Sequence, residues 1–236
     1  MTPPDLVLVA HGTRDPQGPR VLDRLVSLVR AELPGVRTRL SYVELVPPLV
    51  EDVMTTVGRP TVVVPLLLST GYHVKHDLPR SVGIAAAAGV PVALTAPLGP
   101  DRLLAGALAD RLAEAGAEPG DPVVLAAAGS SDAGAGRAVD RTAAMLRDVW
   151  RAPVACAYAS MGVTVPEVMR GVRAEAGRRR VSLVPYLLAP GRFASEVRRD
   201  ARMHDARTAE VLGTHGAVVE LIRRRYARAA ALLGQC

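Results

Sequence analysis

Apolar positions recur along this chain in two alternating rhythms. Short runs rich in β-branched residues, such as "LVLVA" at 6–10 and "VVVPLLL" at 62–68, have the continuous apolar character of strands buried on both faces. Between them the apolar residues are spaced for helices. In "VLDRLVSLVRAEL" they fall at 21, 22, 25, 26, 29 and 33, one stripe at helical spacing, and Gly35 ends it. In the first half the pattern predicts strands at roughly 5–10, 37–43, 61–68 and 91–96. It predicts helices at roughly 19–33, 48–57, 78–88 and 100–115. Strand alternating with helix means parallel sheets joined by right-handed crossovers.

The same plan is then repeated. "LVLVAHGTRDP" (6–16) aligns with "VVLAAAGSSDA" (123–133). "VVVPLLLSTGYHVKHDL" (62–78) aligns with "VSLVPYLLAPGRFASEV" (181–197) when Pro65 is set on Pro185. Tyr42 falls on Tyr158 in between, and Leu98 with Gly99 falls on Leu212 with Gly213. An internal duplication follows. We expect an α/β chain of two similar doubly wound lobes, each a four-stranded parallel sheet flanked by helices, facing each other across a cleft. The expected boundaries are residues 1–116 for the first lobe, the Pro- and Gly-rich 117–122 as linker, and 123–236 for the second.

Open parallel sheets bind ligands beyond the C-terminal ends of their strands, where the strand order reverses. In the first half the positions just past strands one, two and three are His11, Glu44 and His73; in the second they are Ala128, Ser160 and Phe193. One copy carries reactive groups and the other small or apolar ones. Two imidazoles and a carboxylate suit a divalent transition metal, and three protein ligands leave positions open for water or substrate. Their spacing matches no compact metal motif, so the case rests on the shared sheet edge. Bland roles remain open: His11 as a cap or loop partner, His73 as a surface group, Glu44 as the partner of an arginine such as Arg14. Asp77 reads as an acidic residue favoured at a helix N-terminus, His76 as outer rim, and His204 and His215 as surface residues.

Composition narrows the classes. The chain has 236 residues, 49% of them hydrophobic, 22% charged and only 3% aromatic, with net charge +6 carried almost wholly by Arg. Lys75 is the one lysine. The arginine runs at 178–180 and 223–225 read as solvated helix ends, with an anion-attracting rim as the alternative. Sparse aromatics and the absence of a nucleic-acid motif argue against nucleic-acid binding. Cys156 and Cys236 form neither a disulfide framework nor a zinc motif. No signal-peptide pattern or membrane-length apolar run is present, so a cytoplasmic protein is expected. Neither a dinucleotide fingerprint, a phosphate loop nor a serine-nucleophile elbow occurs. The Gly-rich stretch at 127–136 could cradle an anion.

The stretches "VAHGTRDP", "YVEL" and "VVVPLLLSTGYHVKHDLP" resemble the sirohydrochlorin chelatases, the CbiX/SirB group of class II chelatases. The resemblance covers the whole chain, since long members of that group also have two related halves. It implies insertion of cobalt or ferrous iron into sirohydrochlorin, in cobalamin or sirohaem formation, with the metal as substrate and no prosthetic group. The family's two histidines fall on His11 and His73, and its glutamate on Glu44, so these three are the expected metal ligands and the histidines the expected catalytic pair. An acidic tetrapyrrole would need cationic or N–H partners. Arg14, Lys75, His76, Arg192 and the loops at Ser69, Gly71, Gly129 and Ser130 are the candidates, with Phe193 on an apolar far wall. A duplicated chain should supply both lobes as a monomer. The alternatives are a metal or tetrapyrrole carrier that performs no chemistry, and a nickel chelatase.

Overall fold

The computed structural model describes residues 2–177 and 179–234, so Arg178 and Cys236, both named above, lie outside the described residues. The first half contains β1 (Asp5–Ala10), α1 (Gln17–Glu32), β2 (Thr38–Tyr42), α2 (Val50–Thr55) and β3 (Thr61–Pro65). A π-helical turn (His73–Asp77) then leads into α3 (Leu78–Ala87), β4 (Val92–Leu94) and α4 (Arg102–Glu114). The second half repeats this with β5 (Val123–Ala127), α5 (Ala133–Trp150), β6 (Val154–Tyr158), α6 (Val165–Ala176), β7 (Ser182–Tyr186), α7 (Arg192–Met203), β8 (Arg207–Thr208) and α8 (Gly216–Leu233).

Each half forms one four-stranded sheet, ordered β2-β1-β3-β4 and β6-β5-β7-β8, and every pairing is parallel. The apolar runs are the reason. Leu6, Val7, Leu8, Val9, Val62, Val63 and Val64 are wholly buried, as a strand covered by helices on both faces must be. Each such side chain contributes roughly 1.5–3 kcal/mol on leaving water. β1 and β5 are central, and the chain crosses from one side of each to the other. The point where strand order reverses therefore lies between β1 and β3, and again between β5 and β7.

β3 is shorter than the apolar run predicted. Pro65 occupies the last ladder position, opposite Val9, and has no N–H to give. Leu66 N still donates to the Val9 carbonyl at 2.7 Å, and beyond it the backbone turns to other partners. The Leu67 carbonyl accepts from Leu98 N (2.8 Å), and the Leu68 carbonyl accepts from the Tyr186 hydroxyl (2.8 Å) at the end of β7. Burial raises the pKa of that phenol, so it stays a donor. Gly99 packs beneath this junction; a Cβ there would stand 2.1 Å from the Tyr186 hydroxyl.

The last helix of each half leans on the other half. α4 packs on α5 and β7, whereas α8 packs on α1, β3 and β4. The Tyr226 hydroxyl of α8 donates to the Pro4 carbonyl at 2.7 Å. One apolar core runs through both lobes, from Leu6, Leu8 and Leu25 through Leu104 and Leu108 to Leu125, Leu146 and Ile222. His215 is not the surface residue expected. Its Nδ1 accepts from Ala217 N (3.1 Å) and so caps α8, while its Nε2 lies 3.2 Å from Asp110 of α4. No helix among the described residues is long and apolar enough to cross a membrane.

Candidate metal centre

The two lobes meet at the C-terminal edges of their sheets. Thr13, in the loop after β1, packs against Gly191 after β7, and Ser130, after β5, packs against Gly71 after β3. These contacts are equivalent under the internal repeat, so the edges are paired about a pseudo-twofold.

His11 follows the last residue of β1. The parallel pairing continues past β2: Val43 N and Glu44 N donate to the carbonyls of Ala10 and His11 at 2.9 and 3.1 Å. That sets Glu44 beside His11. Gly12 makes the approach possible, because it holds φ +106° and a Cβ on it would stand 2.0 Å from the Glu44 carbonyl oxygen. The next residue in the β2 loop, Leu45, sits at φ +72°, a left-handed conformation that costs energy in a leucine and clusters at functional sites.

His73 arrives from β3 on the π-helical turn. Leu78 N donates to the His73 carbonyl, closing the wider five-residue loop of a π turn. The His73 Nδ1 lies 2.7 Å from Asp77 Oδ2. Asp77 is thus not a free helix-start acid, as its position in the sequence suggested; its side chain makes no cap bond and is committed to the imidazole.

The sequence-predicted trio comes together. His11, Glu44 and His73 each offer a ligand atom, and these atoms lie within 4.8 Å of one another. The two imidazole rings have centroids 4.8 Å apart and stand almost perpendicular, at 89°. Glu44 Oε1 is 3.7 Å from His11 Nδ1, so its carboxylate faces the imidazole. His11 and Glu44 are half exposed and His73 less so, which leaves the cluster open on one side. An ion held by three such groups keeps coordination positions free for water and substrate.

The other candidates are more scattered. Arg14 is exposed in the loop after β1. Lys75 is already paired, with Asp132 of the opposite lobe, and that lysine holds the Asp132 carboxyl below its usual pKa, helped by the Gly134 N–H. The Arg192 guanidinium lies 4.9 Å over the Phe193 ring, so the expected apolar wall is capped by a cation. His76 stacks against Tyr72, with ring centroids 4.7 Å apart. Tyr72 is the group the sequence reasoning missed. It is 64% exposed, in a chain whose remaining aromatic rings are buried or half-buried. Its place directly before His73 was the available signal.

The second lobe builds the same scaffold without the ligands. Ala159 N and Ser160 N donate to the carbonyls of Ala127 and Ala128 at 2.9 and 3.0 Å, and Gly129 holds φ +93°. Ser160 spends its hydroxyl on the Ala128 carbonyl at 2.6 Å. A concavity lined by Arg147, Asp148, Arg151 and Pro153 lies by the start of β6, the sheet edge opposite the strand ends that bind ligands.

Two parallel-sheet lobes meeting over an open His, His, Glu cluster define a metal-handling α/β protein of the chelatase fold. The chain belongs to the CbiX family, whose model matches residues 5–115 and 122–229. Among curated proteins it is 27% identical over 206 residues to the sirohydrochlorin ferrochelatase of Bacillus subtilis, covering 84% of this chain and 78% of that one. It is 29% identical over 83 residues to the sirohydrochlorin cobaltochelatase of Methanopyrus kandleri, covering 34% of this chain and 58% of that one. The solved structure of SirB from Bacillus subtilis with Fe3+ superimposes with a TM-score of 0.84 at 25% identity, over 99% of this chain and 98% of that one.

Proposed function

We propose that this chain is a sirohydrochlorin chelatase, inserting Co2+ or Fe2+ into the macrocycle. The observation that carries this reading is the convergence of His11, Glu44 and His73 at one sheet edge, in a member of the CbiX family. Residues 1–116 form the lobe that holds the metal and residues 123–236 the lobe that closes over the substrate. Imidazole and carboxylate ligands accept both ions, so supply in the cell selects between them.

The chemistry has three demands. The hydrated ion must be captured yet shed its water in stages. His11, Glu44 and His73 supply three ligands, Glu44 offsets charge, and the open side lets pyrrole nitrogens replace water one at a time. Two pyrrole N–H protons must leave as the metal enters, so the charge balances. Half-exposed His11, once pyrrole nitrogens have displaced it from the ion, is placed to accept one at the ring centre and pass it to solvent, with Glu44 at 3.7 Å to stabilise the imidazolium; the other proton goes to water on the open side. Finally, the flat ring must be held. Exposed Tyr72 offers an aromatic face beside the metal. Arg14, Arg192 and the loops at Ser69, Gly71, Gly129 and Ser130 face its carboxylates, with Phe193 behind Arg192. Lys75 serves there only by exchanging Asp132 for a substrate carboxylate. We read the chain as acting as a monomer in the cytoplasm, since one chain contributes both edges of the site.

Turnover tests the reading. Catalytic protein, excess metal-free sirohydrochlorin and Co2+ or Fe2+ under anaerobic conditions should convert many equivalents, followed by the absorption bands of the ring. Conversion that halts at one equivalent would instead identify a carrier.

A further inference from the structure

We propose that Asp77 is a positioning residue for His73: it fixes the imidazole as the Nδ1–H tautomer and so keeps the Nε2 lone pair facing His11 and Glu44. The inference rests on the metal reading of that cluster and deepens it.

An ionised carboxylate can only accept hydrogen bonds. With Asp77 Oδ2 2.7 Å from His73 Nδ1, the proton must sit on Nδ1, whatever the state of the other nitrogen. Only Nε2 is then free to ligate. Left alone, a neutral imidazole favours the opposite tautomer, with hydrogen on Nε2, which cannot bind a metal without first losing or moving that proton. The carboxylate also makes the ring a better donor to a cation and holds its plane, here at 89° to the His11 ring.

The chain contains its own control. Under the repeat, fixed by Pro65 and Pro185 in matching sheet registers, His73 corresponds to Phe193 and Asp77 to Val197. Val197 is wholly buried among apolar neighbours. Where the imidazole is absent, its carboxylate is absent too. The backbone departs in step: α7 starts as an ordinary α-helix at Arg192, whereas the first lobe inserts the π turn that brackets both His73 and Asp77. The Asp77 carboxylate makes no cap bond to α3 and spends its short contact on the imidazole.

The test compares Asp77→Asn, which keeps an acceptor oxygen, with Asp77→Leu, which does not. In metal-free protein, at a pH where the ring is neutral, long-range 1H–15N correlation should show His73 as Nδ1–H in the wild type and in Asp77→Asn. Asp77→Leu should shift it to Nε2–H, with His11 unchanged. Co2+ affinity, read from its visible absorption, should fall by about 10–100-fold in Asp77→Leu and be largely rescued in Asp77→Asn. An Nε2–H tautomer in the wild type, or a Leu variant that keeps both tautomer and affinity, overturns the proposal. The tautomer is read without metal or macrocycle, so it stands apart from any failure of the chelatase reading.

Discussion

At the end of β1 the chain places His11, and at the equivalent end of β5 it places Ala128. The backbone around the two is almost the same. Each is followed by a glycine at positive φ, and each carbonyl accepts from the loop of the neighbouring strand, at 3.1 Å from Glu44 N and 3.0 Å from Ser160 N. What differs is what the side chains can still do. Glu44 leaves its carboxylate facing an imidazole, whereas Ser160 turns its hydroxyl back onto the main chain. His73 carries a carboxylate partner, while Phe193 lies under a guanidinium. One scaffold was enough to bring three loops together twice. Among the described residues the first lobe alone gathers a His, His, Glu cluster, and in the function proposed above the second serves as the wall.

Removing the ligands should break the comparison most completely. His11→Ala or His73→Ala is expected to lower metal insertion by on the order of 10²–10⁴-fold, the range lost with a positioned acid–base group, and to weaken Co2+ binding as well. Ser160→Ala, at the second-lobe counterpart of Glu44, should leave Co2+ binding as it was. Steady-state insertion rates and Co2+ titrations check both.

The paired glycines sharpen it next. Gly12→Ala and Gly129→Ala each force a side chain into a left-handed conformation against nearby backbone, at a cost of about 1–3 kcal/mol. Denaturant unfolding should therefore show both destabilised. Only Gly12→Ala should also lose Co2+ affinity, because it pushes the Glu44 loop away from His11.

A smaller effect belongs to the bond between the lobes. The Asp132 carboxyl sits below its ordinary value near 3.8, chiefly because of Lys75. A carboxyl whose pKa is depressed on folding stabilises the native state above its unfolded pKa and loses that contribution as pH falls through the folded value. The Lys75–Asp132 pair should thus be constant from neutral pH down to about pH 5 and fade only in stronger acid. Lys75→Ala should flatten that acid limb in a pH series of unfolding curves and raise KM for the macrocycle by a few-fold.

Least affected should be His215→Ala. It removes the α8 cap, worth about 1 kcal/mol, and should leave insertion per folded molecule unchanged.

Much of this arrangement was legible in the chain itself. Parallel strands buried on both faces announce themselves as apolar runs, and the duplication gave every element a second reading. The rule that ligands gather past the strand ends then picked out His11, Glu44 and His73, although 61 intervening positions separate the histidines in sequence. Features that depend on contacts between halves were not legible. Nothing in a single segment shows that α4 and α8 lean across, that Lys75 meets Asp132, or that His215 caps a helix against Asp110. Asp77 was misread for a local reason. A π turn has no propensity signature, and without it the residue looks like an ordinary helix-start acid. β3 stopped early because the carbonyls of Leu67 and Leu68 go to Leu98 N and the Tyr186 hydroxyl rather than to a neighbouring strand.

The central claim is that one lobe alone holds the metal. A crystal of the chain soaked in Co2+ and measured at the cobalt edge addresses it directly. The account predicts one anomalous peak per chain, between the imidazoles of His11 and His73 and the Glu44 carboxylate. A peak at the Ala128, Ser160 and Phe193 edge, or none near the histidines while the soaked protein still inserts cobalt, would contradict it.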